Sequence, residues 1–223
     1  MMAAAMTGCA EKTNEPQPIT FYLIRHGETM FNERGLAQGW CDAPLTEEGI
    51  AQAEDLGKGL ADVPFTAAYS SVSERAMDTG NAVIAGRDIS LQLTEDLKEM
   101  NFGTMEGEPN SVLWAAGMDK RLKDGWTDVG GENFDILGDR VLKALDEAVE
   151  ANKATGGNIL ISSHGMSIMA VLQKIDMDAF NDFMATGAQG LDNCSVTIVE
   201  YNDGTYTVKT INDTSYRDNG AAK

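Results

Sequence analysis

A three-layer α/β sandwich, with a mostly parallel central sheet flanked by helices, is the fold this sequence predicts. Short apolar runs rich in β-branched and aromatic residues alternate with segments of helical period, the pattern of a sheet buried on both faces. The last two runs flank Asn202-Asp203-Gly204 and form a hairpin. The chain's 2 histidines each follow an apolar run and precede a glycine, beyond the carboxyl ends of strands, where open α/β sheets bind ligands.

Taken in order, residues 1–18 read as a flexible tether and 19–223 as one folded domain, because AEKTNEPQP at 10–18 is polar, proline-bearing and without period. ITFYLI, from Ile19, is a strand that ends at Arg25. PLTEEGIAQAEDLGKGLADV predicts a helix started at Thr46 and the acidic pair behind it, with the apolar Leu45, Ile50, Ala53, Leu56 and Leu60 near helical spacing. FTAAYSS is a second strand, and SERAMDTGNAVIAG a helix capped by Ser73 and stopped by Gly86. ISLQLTEDL reads as an edge strand or extended segment. Residues 103–130, with their glycines, Pro109, two tryptophans and weak periodicity, read as a long surface excursion of the kind that forms a small lid. GENFDILGDRVLKALDEAVEANKATGGN is the longest helical pattern, closed by Gly156 and Gly157. NILISSHG is a strand, MSIMAVLQKI a helix, and CSVTIVEYNDGTYTVKTIN the hairpin.

The balance of 17 Lys and Arg against 35 Asp and Glu gives a net charge of -18, which repels polyanions and disfavours nucleic acid and anionic lipid as partners. No uninterrupted apolar stretch approaches the roughly 20 residues of a membrane-spanning helix. The 3 cysteines, Cys9, Cys41 and Cys194, are widely spaced and offer neither a disulfide framework nor the paired spacing of a zinc site. Met6-Thr7-Gly8-Cys9 resembles the end of a bacterial lipoprotein signal, in which the cysteine carries lipid and a polar tether follows. Too few residues precede Cys9 for a full signal, so this reading expects the native chain to begin upstream and the protein to be extracytoplasmic and lipid-anchored. The alternative is an incidental cysteine in the tether of a cytoplasmic protein.

An imidazole attacks phosphorus through an unprotonated nitrogen while a hydrogen bond to its other nitrogen fixes the tautomer. His26 and His164 are candidates for one such crevice; two merely structural histidines account poorly for the repeated strand-His-Gly setting. Arg25 adjoins His26 and Arg75 follows the second strand, so two guanidinium forks can bracket a phosphoryl group's equatorial oxygens. The alternative for each arginine is a surface ion pair. No G-x-x-x-x-G-K-[ST], H-E-x-x-H or strand-linked G-x-G-x-x-G is present.

RHGETMFN at 25–32 resembles the signature of the histidine phosphatase superfamily, also called phosphoglycerate mutase-like. QGWCDAPLTEEG at 38–49, SSVSERAMDT at 70–79, KEMNFGTMEG at 98–107 and SSHG at 162–165 are similar to further family segments, in the family's order. The resemblance implies that His26 is the nucleophile that becomes phosphohistidine, that Arg25, Arg75 and His164 hold the phosphoryl group, and that Glu99 protonates the leaving oxygen. It implies substrate-side places for Asn32, Gly165, Gln38 and Thr29. By itself Glu99 is one acid among 35 and reads as a solvated side chain. The chemistry still requires such a group, because an alkoxide leaves poorly unless protonated, and water must later be deprotonated to attack the phosphoenzyme.

Three features depart from the family pattern. Leu36 stands where many members carry a basic residue that would contact a second phosphate or acidic group. Glu74 adjoins Arg75 and weakens the local positive field. After GTMEG the arginine-rich insertion typical of the mutases is missing, which favours hydrolysis. The expectation is therefore a phosphomonoester hydrolase that uses no metal or cofactor, acting on a small-molecule phosphomonoester or a phosphoprotein. Its rivals are phosphoglycerate mutase-type phosphoryl transfer and a phosphoryl-binding regulatory module without turnover.

Overall fold

The computed structural model describes residues 17–223, so Cys9 and the tether before residue 17 lie outside the described residues. Strands β1 (Ile19–Arg25), β2 (Phe65–Ser71), β3 (Leu91–Thr94), β4 (Gly157–Ser163), β5 (Val196–Asn202) and β6 (Thr205–Asp213) form one sheet in the order β3-β2-β4-β1-β5-β6. The first four in that order are parallel; β5 runs antiparallel to β1, and β6 antiparallel to β5. The helices are α1 (Met30–Glu33), α2 (Glu47–Gly59), α3 (Glu74–Ile84), α4 (Asn110–Leu113), α5 (Met118–Asp124), α6 (Phe134–Asn152), α7 (Gly165–Ile175), α8 (Met177–Ala185) and α9 (Ser215–Ala221).

The period of two in β1 explains the three layers. Ile19, Phe21 and Leu23 point into a core with Leu137, Val141 and Leu145 of α6 and Ile168 to Leu172 of α7. Ile24 points the other way, against Ala53 and Leu56 of α2 and Val83 and Ile84 of α3. Caps fix where the helices begin. The Thr46 hydroxyl accepts from Gly49 N at 3.0 Å to start α2, and Asn133 Oδ1 accepts from Ile136 N at 2.8 Å to start α6. At the hairpin Asp203 and Gly204 both take positive φ, 48° and 81°, as a two-residue turn between right-twisted strands requires.

Several expectations need correction. Ile50 is 49% exposed, because Gly49, Ala53 and Leu56 form the inner stripe of α2 and Ile50 lies about 100° around the helix from Gly49. Ser73 sits at the N-cap of α3 but its side chain makes no cap bond; Asp42 Oδ2 instead accepts from Glu74 N at 2.5 Å. The 103–130 excursion is more than surface. It folds into α4, α5 and a 3₁₀ turn at Thr127–Val129, and it buries Leu113 and Trp126 in the main core. The last two tether residues are tied to the body, since Gln17 N donates to Lys153 O and Pro18 O accepts from Gly157 N. Among the described residues, no helix is long and apolar enough to cross a membrane.

Candidate active site

The sheet register builds the site. Arg25 pairs with Ser163 across the parallel β1–β4 ladder, so the residues that follow, His26 and His164, leave adjacent strands side by side. Their ring centroids are 5.3 Å apart. The loop after β1 is then locked: His26 N donates to Ser163 O at 3.1 Å, Gly27 N to Thr79 Oγ1 at 3.0 Å, and Asn193 Nδ2 to His26 O at 2.8 Å. Glycine at 27 is a packing requirement, because a Cβ there would lie 2.4 Å from Gly49 O.

Within this loop His26 Nδ1 sits 2.8 Å from Gly27 O, a bond in which the ring nitrogen must donate, so Nε2 carries the lone pair. Burial pushes His26 well below the ordinary histidine value, and the positive charges of Arg75 and Arg25 push the same way. His164 is lowered by burial first, and then by Arg75 and His26. Its Nε2 contacts Ser71 Oγ at 2.9 Å, while Nδ1 is buried without a partner.

The two arginines are anchored differently. Arg25, the last residue of β1, donates through Nη1 to Leu191 O. Arg75 lies fully buried in the first turn of α3; Nη2 donates to Gly39 O at 2.8 Å and Nη1 to Asp42 Oδ1 at 2.8 Å, and Nε has no partner. The sequence pointed to Glu74 as the acid beside Arg75, but Glu74 is exposed and Asp42 is the ion-pair partner. Asp42 thereby orients Arg75 and caps its helix at once.

Glu99 enters from the segment after β3 and meets the amino end of α7. Its Oε1 accepts from Met100 N at 2.8 Å and Ser167 N at 3.1 Å, and its Oε2 from Met166 N at 3.2 Å. These amides, two of them at the amino end of α7, fix the orientation of the Glu99 carboxyl group. The backbone beneath is clamped by Arg140 of α6, which donates to Asp96 O, Lys98 O and Glu99 O and forms a bidentate pair with Glu132. Trp40 Nε1 adds a second donor to Glu99 O at 2.9 Å.

Arg25, His26, Asn32, Gln38, Arg75, Glu99 and Gly165 line a cavity of about 800 Å³ together with an apolar wall, whereas His164 is fully buried and is not among the lining residues. Asn32 Oδ1 accepts from Thr29 N and Asn193 Nδ2, which leaves its amide NH₂ for the cavity. Gln38 is held from behind: its Oε1 accepts from Thr29 Oγ1 and its Nε2 donates to Ala43 O. Thr29 does not line the cavity. It caps α1, and its hydroxyl is engaged with Asn32 N and Gln38 Oε1. Ser71, Asp42, Thr79, Arg140 and Asn193 escaped the sequence reading as site residues. Asp42, Ser71 and Thr79 fall inside the quoted motifs, whereas nothing in their local sequence singles out Asn193 or Arg140. Burial pushes both described cysteine thiols up, Cys41 to about 11 and Cys194 to about 12. Among the described residues, no group of three or more His, Cys, Asp or Glu side chains is arranged to hold a metal ion.

The sequence is similar to the metal-independent phosphoserine phosphatase of Arabidopsis thaliana, 31% identical over 91% of this chain and 84% of that protein. It is likewise similar to 2,3-bisphosphoglycerate-dependent phosphoglycerate mutase 2 of Gloeobacter violaceus, 31% identical over 69% of this chain and 74% of the other. The fold matches the crystal structure of phosphoglycerate mutase from Bacillus anthracis with a TM-score of 0.82 at 32% identity, over 94% of this chain and 99% of that one. The family model of the histidine phosphatase superfamily, branch 1, matches residues 21–214, and the chain belongs to that superfamily.

Proposed function

We propose that the protein is a metal-independent phosphomonoester hydrolase that works through phosphorylated His26. The observation that carries this reading is the state of His26: a buried imidazole with Nδ1–H spent on Gly27 O and Nε2 left free, beside two guanidinium groups and across the cavity from a carboxyl group. In the first step the Nε2 lone pair attacks phosphorus in line with the ester oxygen. The P–O bond to the alcohol breaks as Glu99, loaded with a proton, gives it to that oxygen. In the second step the Glu99 carboxylate takes a proton from water, the resulting hydroxide attacks phosphorus, the N–P bond breaks, and inorganic phosphate leaves.

Charge on the equatorial oxygens is met by Arg25, Arg75, the Asn32 amide and the N–H of Gly165 at the amino end of α7. His164, whose ring centroid lies 5.3 Å from that of His26 and whose Nε2 is held by Ser71 Oγ at 2.9 Å, is a further candidate partner for the phosphoryl group. The same residues would serve a mutase, the name two of the similar proteins carry. Hydrolysis is favoured here because the 103–130 excursion brings no Lys or Arg to the cavity lining: Arg121 is buried on its own Gly125 O and Asp128, and Lys120 pairs with Asp128. A binding module without turnover would need neither a free Nε2 nor a facing carboxyl group. The test is phosphate release from a panel of phosphomonoesters in excess chelator. Turnover is expected to persist; complete loss, restored by a divalent ion, would overturn the mechanism.

A further inference from the structure

We propose that the alcohol this site releases is apolar, aliphatic or aromatic, and carries no second anionic group. The inference rests on the phosphohydrolase reading and concerns what lies beyond the scissile P–O bond. Among the described residues that line the cavity, the only Lys or Arg side chains are Arg25 and Arg75, both on the phosphoryl side. Each is already partly spent, Arg25 on Leu191 O and Arg75 on Gly39 O and Asp42, and the donors that remain are the ones the phosphoryl group takes in this reading. The remaining lining carries no basic side chain apart from the His26 imidazole. Leu36, Phe102, Trp114, Phe134, Met169 and Met184 supply its apolar part, Asn110, Gln189 and Asn212 neutral amides, and Glu99 and Asp192 its acids.

A carboxylate or second phosphate on the leaving group would meet a wall with amide donors at most and no counter-charge, so its loss of hydration is only partly offset. It would also face Asp192, whose Oδ2 is held by Asn212 Nδ2 at 2.8 Å. An apolar group meets the opposite situation. Phe102 and Trp114 stand edge-on against the fully buried Trp126, with ring centroids 4.7 Å and 5.3 Å from it, so this wall is fixed before a ligand arrives. The methionines of the lining are unbranched and polarizable, which lets one cavity accept leaving groups of different shape. The chain's net charge of -18 adds a long-range bias against polyanionic esters.

The test compares kcat/KM for benzyl phosphate, 4-carboxybenzyl phosphate and 3-phosphoglycerate by phosphate release from the full chain. The two benzyl alcohols are of nearly equal basicity, so the same bond is broken and only the distal charge differs. Benzyl phosphate is expected to exceed 4-carboxybenzyl phosphate at least tenfold, and 3-phosphoglycerate by more. In Leu36→Lys the ratio is expected to move at least fivefold towards the carboxylated ester, since the new ammonium supplies the missing counter-charge. Equal or faster turnover of either acidic ester by the wild-type protein would overturn the proposal while leaving hydrolysis intact. An unchanged ratio in folded Leu36→Lys would contradict the assignment of that wall to the leaving group. Release from none of the three esters would overturn the phosphohydrolase reading and this proposal with it.

Discussion

Replacing Arg140 by methionine tests whether Glu99, the proposed general acid, is positioned from a distance. In the wild type its side chain is only 15% exposed and that of Glu132 12% exposed, and the fork spans three carbonyls and both carboxylate oxygens. Removing one partner of such a pair leaves the other charge buried and alone, which costs about 3–5 kcal/mol. For a domain of this size that lowers Tm by about 6–20 °C, at about 2–4 °C per kcal/mol. Glu132→Gln in the same background removes the orphaned charge and should return about 2 kcal/mol. Arg140→Lys should not rescue, because one ammonium cannot span the positions a planar fork holds. Activity, assayed well below the melting range, should fall by up to about 10²-fold on benzyl phosphate, because the Glu99 backbone loses one of its two donors and shifts. On nitrophenyl phosphate, whose leaving group needs little protonation, the loss should be smaller. A stability loss under about 1 kcal/mol, the scale of an exposed pair, or equal activity losses on the two esters, would refute the reasoning.

Glu99→Gln keeps one acceptor oxygen for Met100 N and Ser167 N and sets an NH₂ against Met166 N; benzyl phosphate turnover should drop about 10²–10⁴-fold and nitrophenyl phosphate turnover far less, and equal losses would remove Glu99 as the acid. For pH, the folded values of His26 and His164 both lie well below 6.5, so the unfolded chain binds protons more tightly. The stability this confers is present above pH 6.5 and is lost as pH falls below it towards the folded values. Imidazole signals of a chain with 2 histidines are simple to follow by NMR, and either one titrating at or above 6.5 in the ligand-free protein would contradict the buried neutral assignment.

What the sequence made legible follows from how local each signal is. The order of strands and major helices was readable because β1, β2 and β4 are apolar runs between helices of clear period. His26, Arg25 and His164 were readable because they are fixed by strand ends a few residues away. Helix α9 was not, since it is short and polar and packs on α2 by backbone approach: a Cβ on Gly59 would lie 1.8 Å from Tyr216 O, and one on Gly220 1.7 Å from Asp55 O. No apolar stripe announces such a contact. Asn193 acts on His26 and Arg140 on Glu99 through backbone carbonyls far away in the chain, and a side chain that serves a remote carbonyl leaves no local pattern. The capping role of Asp42 likewise depends on a loop folding back onto α3, which propensity at Ser73 alone suggested wrongly.

The central claim is that His26 itself carries the phosphoryl group between the two steps. Rapid-quench labelling with a phosphorylated substrate, followed by peptide mapping, measures it directly. The account predicts an acid-labile phosphoramidate on the peptide that contains His26, formed and discharged at rates consistent with turnover, and lost together with turnover in His26→Ala. Label on a serine or an aspartate, or full turnover in His26→Ala, would contradict it.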